Sequence, residues 1–296
     1  MTQYSAGILP PLWYYGPPNN PMTIKPRLIA VVVLLRFDLC SSAASLKPET
    51  LAAWNAYLQA ANDKMQARLQ PDAHFLWIDE EPDRVEKIRT KGPYIGPVTK
   101  DIPQKVPSGL IHDWLGADFV PDVKIEDILR VVRDYDRYKD VYHPGVIDSA
   151  FRRTDGMQDF FFMRLANRSV VAKTALDTEG VASYIRVDDK RWYGVSNTTE
   201  IREIDKFGTE EQRKLPPDQG TGLIWRLSSI TRLEERDGGV YAELEAIALS
   251  RDIPAAFRLL VTPIVRRVSR DSLATSLHQT KVAIDDLRLR RVQETQ

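Results

Sequence analysis

The sequence predicts an α+β fold: a curved antiparallel sheet wrapped around a long C-terminal helix, behind an N-terminal helical extension. Two observations carry this. Between residues 146 and 249, short strand-like runs are separated by turn signals such as Asp155-Gly156 and Asp237-Gly238-Gly239, the mark of antiparallel hairpins. Apolar residues then recur at helical spacing through Ile264, Val265, Val268, Leu273, Leu277 and Ile284. A sheet of that kind buries the stripe of such a helix in its concave face. The 296 residues, 43% hydrophobic and 28% charged, suffice for one sizeable domain with additions.

In chain order, residues 1–21 are rich in Pro, Gly and Asn, and Met22 is an alternative start. Lys25 and Arg27 precede an apolar run at 28–35, and Ser41, Ser42, Ala43 and Ala44 follow. A basic flank, a short apolar core and a small-residue end describe a secretory signal peptide, cut after Ala44. Arg36 and Asp38 interrupt the pattern, and the run is far shorter than the roughly 20 residues of a membrane helix. Residues 1–44 are thus read as an N-terminal extension with a signal peptide, and the protein as periplasmic or secreted. A buried strand at 29–35 in a cytoplasmic protein is the alternative.

Residues 45–107 read as a helical preface and a proline-bearing connector. Leu51, Trp54, Leu58, Ala61, Met65 and Leu69 set a helical period from Pro48 onward. Residues 75–78 are a short strand or an apolar turn. Pro93, Pro97, Pro103 and Pro107 make 91–108 extended.

The main domain spans residues 108–285. A strand at 109–120 leads into a helix at 124–142, stopped by Pro144-Gly145. Strands follow at 146–153, 158–165, 170–178, 182–187, 192–204, 222–233 and 240–249. The polar segment 208–220 reads as a loop, long enough to act as a lid over an entrance. Thr262 suits the N-cap of the last helix and Pro263 its first turn. That helix is expected to run to about 284, leaving 286–296 as a polar tail.

Lys+Arg and Asp+Glu both number 41, so no basic excess points to nucleic acid. The single cysteine, Cys40, excludes an intramolecular disulfide and a thiolate zinc cluster. His74, His112, His143 and His278 are scattered without metal-ligand spacing. There is no G-x-S-x-G, H-E-x-x-H, P-loop or Rossmann glycine pattern. No catalytic nucleophile, cofactor or metal is expected.

The order of elements, together with three stretches, resembles the START / polyketide-cyclase-like (SRPBCC, helix-grip) superfamily. The stretches are Leu129 to Asp134-Tyr135-Asp136-Arg137-Tyr138 running into His143-Pro144, the segment 222–233 with Asp237-Gly238-Gly239, and Leu249 to Pro254 leading into the final helix. The resemblance covers roughly residues 108–285 and extends to uncharacterised exported bacterial members. It implies a cavity between sheet and C-terminal helix that accepts an apolar ligand such as a lipid or quinone.

Ten residues are candidates for that site. Tyr138 and Tyr142 lie four apart on one helix face, each offering an apolar ring and one hydroxyl. Asp136 and Asp140, interleaved with Arg133, Arg137 and Lys139, form a solvated face. Strand alternation puts Phe161, Met163 and Leu165 toward the helix with Arg164 opposite, and Trp225 and Leu227 inward. Arg251 suits an anionic head group. Val268 and Ser272 are the helix's contributions. Ala242, Leu244, Ala246, Ala248 and Ser250 form an unusually small-residue face, which leaves volume for a guest or permits close helix packing. Asp177 and Glu179 share a strand face, where paired carboxylates either do acid–base work or simply meet water. The expected function is binding or carriage of a hydrophobic small molecule, with transient membrane contact and no nucleic-acid partner. The alternatives are a cyclase/aromatase-type enzyme using Tyr138, Tyr142 or Glu179, and a structural protein with a filled core.

Overall fold

The computed structural model describes residues 44–100, 102–168, 173–253 and 258–294. The expected signal segment falls outside them. Its predicted cut, after Ala44, lies inside a short pair: β1 (Ala44–Ser45) bonds antiparallel to β10 (Gln219–Gly220).

The sheet is antiparallel throughout, as its hairpin signals require. Its main path runs β4 (Gly109–Pro121), β12 (Gly239–Arg251), β11 (Arg226–Arg236), β8 (Arg191–Asp205), β7 (Lys173–Arg186), β6 (Gln158–Arg168), β5 (Val146–Asp155). The β11–β12 turn consists of Asp237 and Gly238, both at positive φ, which matches the twist of the strands it joins. The two strands expected at 170–178 and 182–187 are, over the described residues, the single strand β7. Gly180 is not a break: a side chain there would sit 2.6 Å from the Phe161 ring, so the glycine makes room for it.

The helical preface covers one face of this sheet. Helix α1 (Pro48–Ala67), a 3-10 turn (Trp77–Glu80) and α2 (Pro82–Lys91) bring Trp54, Met65, Leu76, Trp77, Ile78 and Ile88 against Ile111, Leu115, Ile230, Ile247 and Leu249. The proline-bearing connector is not merely extended. It supplies β2 (Tyr94–Pro97) and β3 (Gln104–Val106), both paired with β4. Residues 42–296 therefore form one unit, in which the preface is the lid of the sheet's outer face.

Charge is buried under that lid. Arg232 donates to Glu243 at 2.7 Å and to Glu245 at 3.0 Å, Ile78 N–H donates to Glu243 at 3.0 Å, and Tyr57 donates to Asp113 at 2.7 Å. Burial, and next the Glu245 charge, push the Asp113 carboxyl up to about 7. On the same face, Arg164 is not turned freely to water: it pairs with buried Asp177, which Lys214 also reaches.

The other, inner face meets the remaining helices. The expected helix at 124–142 is broken into α3 (Ile125–Val132), a 3-10 turn (Tyr135–Arg137) and α4 (Tyr138–Val141). The long helix α5 runs Arg258–Glu294. It starts before Thr262, so Thr262 and Pro263 lie inside it. It also consumes most of the expected tail, because contact continues past Ile284: Leu287 packs on the cluster of Val120, Val123, Ile125 and Ile128. Gly116 sets the approach of α5 to β4. A Cβ there would stand 2.8 Å from Leu277 Cδ1 and 3.1 Å from Leu273 Cγ.

Segment 208–220 is not a free lid. Its β9 (Arg213–Lys214) pairs with β8, Leu215 N–H donates to Glu203 O at 2.8 Å, and Asp218 accepts twice from Arg226.

Candidate functional site

Strand pairing aligns inner-face residues into rows across the sheet. One row is Trp114, Ala246, Ser229 and Ser196; the next is His112, Ala248 and Leu227. Four strands at the usual spacing make a row about 14 Å long. Ala246, Ala248, Ser229, Leu227, Ser196 and Trp114 are only half-buried, whereas the alternating Ile247, Leu249 and Ile230 are fully buried under α1. The reason is the seating of α5, which rests on β4 at Gly116 and on the Val120–Ile128 cluster. Small and hydroxyl-bearing side chains are left partly uncovered in a strip across β12, β11 and β8. This supports the small-residue face read from the sequence.

One end of the strip is aromatic. Tyr135 stacks on Phe161 at 4.6 Å and 7°, Tyr138 lies 5.3 Å from Tyr135, and Tyr142 meets Tyr138 edge-on at 5.0 Å. Their hydroxyls are spoken for. Tyr138 and Tyr184 both donate to Val132 O, and Tyr142 bonds Thr280 Oγ1 at 3.0 Å. Burial raises all three phenols, which opposes ionisation and leaves no phenolate to act as a base.

The other end is polar. His112 is 4% exposed and its Nε2 lies 3.0 Å from Ser250 Oγ. Burial pushes the imidazole down to about 4, so it is neutral near pH 7. His112 Nδ1 and Trp114 Nε1 are buried without a hydrogen-bond partner.

The ten predicted residues divide. Tyr138, Tyr142, Phe161 and Met163 come together at the aromatic end, and Leu165 and Leu227 line the same face half-buried. Trp225 does not face the strip. Pairing of β11 begins only at Arg226, and Trp225 turns into the core shared with α1, 4% exposed. Arg251 accompanies it, lining a separate cleft of about 330 Å³ with Lys47, Thr50 and Trp225, and donates to Thr221 O at 3.1 Å. Val268, 49% exposed, and Ser272 point outward. At 100° per residue they lie well off the line through Leu273, Leu277 and Ile284 that touches the sheet. Glu179 is an exposed partner of Arg152 at 3.1 Å. Sequence reasoning missed His112 and Trp114, although their alternation with Ile111 and Leu115 along β4 was a readable signal.

No family model matches the chain, and no curated protein does. Solved structures do resemble it. A STAR-related lipid transfer protein from Xanthomonas axonopodis is 11% identical over 62% of this chain and 96% of its own, with a TM-score of 0.42. Human STARD10 is 8% identical over 77% and 89%, at 0.42. The Zhui aromatase/cyclase of a Streptomyces is 10% identical over 58% and 94%, at 0.35.

Proposed function

We propose that the protein binds an apolar small molecule, of lipid, quinone or similar type, in the groove between the inner face of the sheet and α5. The observation that carries this is the unequal finish of the two faces. Alternate residues of the same strands are sealed under α1 but left half-exposed on the α5 side. A guest covering about 300 Å² of apolar surface gains roughly 7 kcal/mol from leaving water, before the costs of association. Tyr138 and Tyr142 wall one end rather than act as acid or base, since their hydroxyls already hold Val132 O and Thr280. The reading includes export, supported by the basic flank and apolar run before Ser41, and brief membrane contact during loading.

Native mass spectrometry with organic extraction of the purified protein tests binding. A copurifying apolar molecule, lost in an Ala246→Trp, Ala248→Trp double variant that remains folded, is the expected result. Binding of no lipid, alcohol or quinone probe would sink the proposal. N-terminal sequencing of protein from a periplasmic fraction tests export, with an intact Met1 or Met22 in cytoplasm as the contrary outcome.

A further inference from the structure

The cleft at the start of α1, about 330 Å³, is walled in part by Lys47, Thr50, Trp225, Arg251 and Asp252. Among the described residues Lys47 makes no ion pair. The Arg251 guanidinium makes none either; it donates only to Thr221 O, at 3.1 Å, which leaves most of its fork free. Asp252 is engaged by Lys105 at 3.6 Å. The charge left unpaired at the opening is therefore positive, and Lys47 and Thr50 bring the positive end of α1 to it. A third donor comes from the core. Trp225 is 4% exposed, yet its Nε1–H has no hydrogen-bond partner among the described residues, and unlike Trp114 Nε1 it is not closed to water. Gly222, at φ +71°, sets this indole beside Arg251. A side chain there would stand 2.5 Å from Trp225 Cζ2, 2.8 Å from Trp225 Cε2 and 2.9 Å from Arg251 Cβ. The ring edge that carries Nε1 and the stem of Arg251 thus flank one glycine. An oxygen in the cleft is what can answer the buried indole N–H.

The two free cations and the indole all donate, so their complement is a negatively charged acceptor. We propose that this cleft is a second site, independent of the apolar groove, which binds the oxyanion of a small solute, a carboxylate or a phosphate. Its oxygens accept from the Arg251 guanidinium and from Trp225 Nε1–H, with the Lys47 ammonium at the mouth. The planar fork of an arginine matches either oxyanion, and charge on the acceptor makes each bond roughly twice as strong as a neutral one. A neutral amide fits less well, because its N–H groups would meet donors rather than acceptors.

Acetate, its neutral isostere acetamide, and inorganic phosphate are titrated into isotope-labelled protein at constant pH and ionic strength, and the indole N–H resonances are followed. The signal that Trp225→Phe deletes is expected to move saturably with acetate or phosphate and to stay still with acetamide. The tighter of the two anions gives the class of solute. Arg251→Gln should weaken that binding about tenfold, since a hydrogen bond to a charged group is worth at least that much. Lys47→Glu, at an exposed position, should weaken it by about as much again, through repulsion at the mouth. A Trp225 signal that moves alike with all three probes, or with none, overturns the proposal. So does an anion affinity that Lys47→Glu and Arg251→Gln leave unchanged, which would mean an adventitious ion only. Should Trp225→Phe or Arg251→Gln fail to fold, Lys47→Glu decides: the indole signal that moves with anion in the wild type should hold its place in that variant, and equal movement in both sinks the site.

Discussion

The two faces of this sheet are built from alternate residues of the same strands yet finished in opposite ways. The outer face carries Arg232, Glu243, Glu245 and Asp113, and it is the sealed one. The inner face carries alanines, serines and leucines, and it is the half-open one. A rule that sends charge to water and alkyl groups to the core would assign them the other way round. The difference is that the outer charges are partnered, Arg232 by two carboxylates and Asp113 by Tyr57, so α1 can close over them. The inner side chains are too small to hold α5 against the whole face.

Breaking the outer network should have the largest effect. Arg232→Met leaves Glu243 and Glu245 buried without their cation and is expected to cost about 3–5 kcal/mol in urea unfolding, or to abolish folding. Arg232→Met with Glu243→Leu and Glu245→Leu should recover most of it. A single variant as stable as wild type would mean that α1 does not seal this face.

The next effect is a pair of opposed pH dependences, one from each face. Asp113, raised to about 7 in the folded chain from an ordinary 3.8, holds a proton that the unfolded chain releases. Its contribution to stability is complete below about 4 and is lost as pH rises to 7. His112, lowered to about 4 from 6.5, resists a proton that the unfolded chain takes up, so its contribution is lost as pH falls from 6.5 to 4. In the wild type the two slopes largely cancel over that window. Asp113→Asn should unmask a loss of stability on acidification, and His112→Phe a loss on raising the pH, each up to about 1.4 kcal/mol per pH unit. Identical profiles for the two variants would contradict the assignment.

Gly116→Val is expected to cost about 1–3 kcal/mol, because its side chain would meet Leu273 and Leu277 and push α5 off β4. Hydrogen exchange should rise in α5 and not in α1. The smallest change belongs to the groove floor. Leu227→Ala should cost about 1 kcal/mol or less, since its side chain is already half-exposed. A loss as large as a core leucine's, about 2–5 kcal/mol, would show the groove to be filled.

Much of this was legible in particular residues. Asp237-Gly238 fixed a hairpin, because few residues other than glycine and aspartate accept both positive φ values at once. The alternation through Ala242–Ser250 separated two faces correctly. Legibility failed where a residue's surroundings come from far along the chain. Trp225 fits an inward alternation, but it precedes the paired ladder and turns to α1. Val268 and Ser272 belong to the expected helix, yet the line that touches the sheet is set by the contact at Gly116. Segment 208–220 has a loop's composition and is nonetheless tied to Glu203 and Arg226.

By itself, then, the sequence determined the order of helices and strands, the antiparallel hairpins and the existence of two unlike faces. Local periodicity and turn stereochemistry act over a few residues and need nothing more. Only the tertiary structure decided which face α1 closes, how far α5 reaches across the other, and that His112 and Trp114 share a wall with unmet hydrogen bonds. Those outcomes depend on contacts between segments more than a hundred residues apart, such as Ile78 N–H with Glu243, whose approach no local pattern encodes.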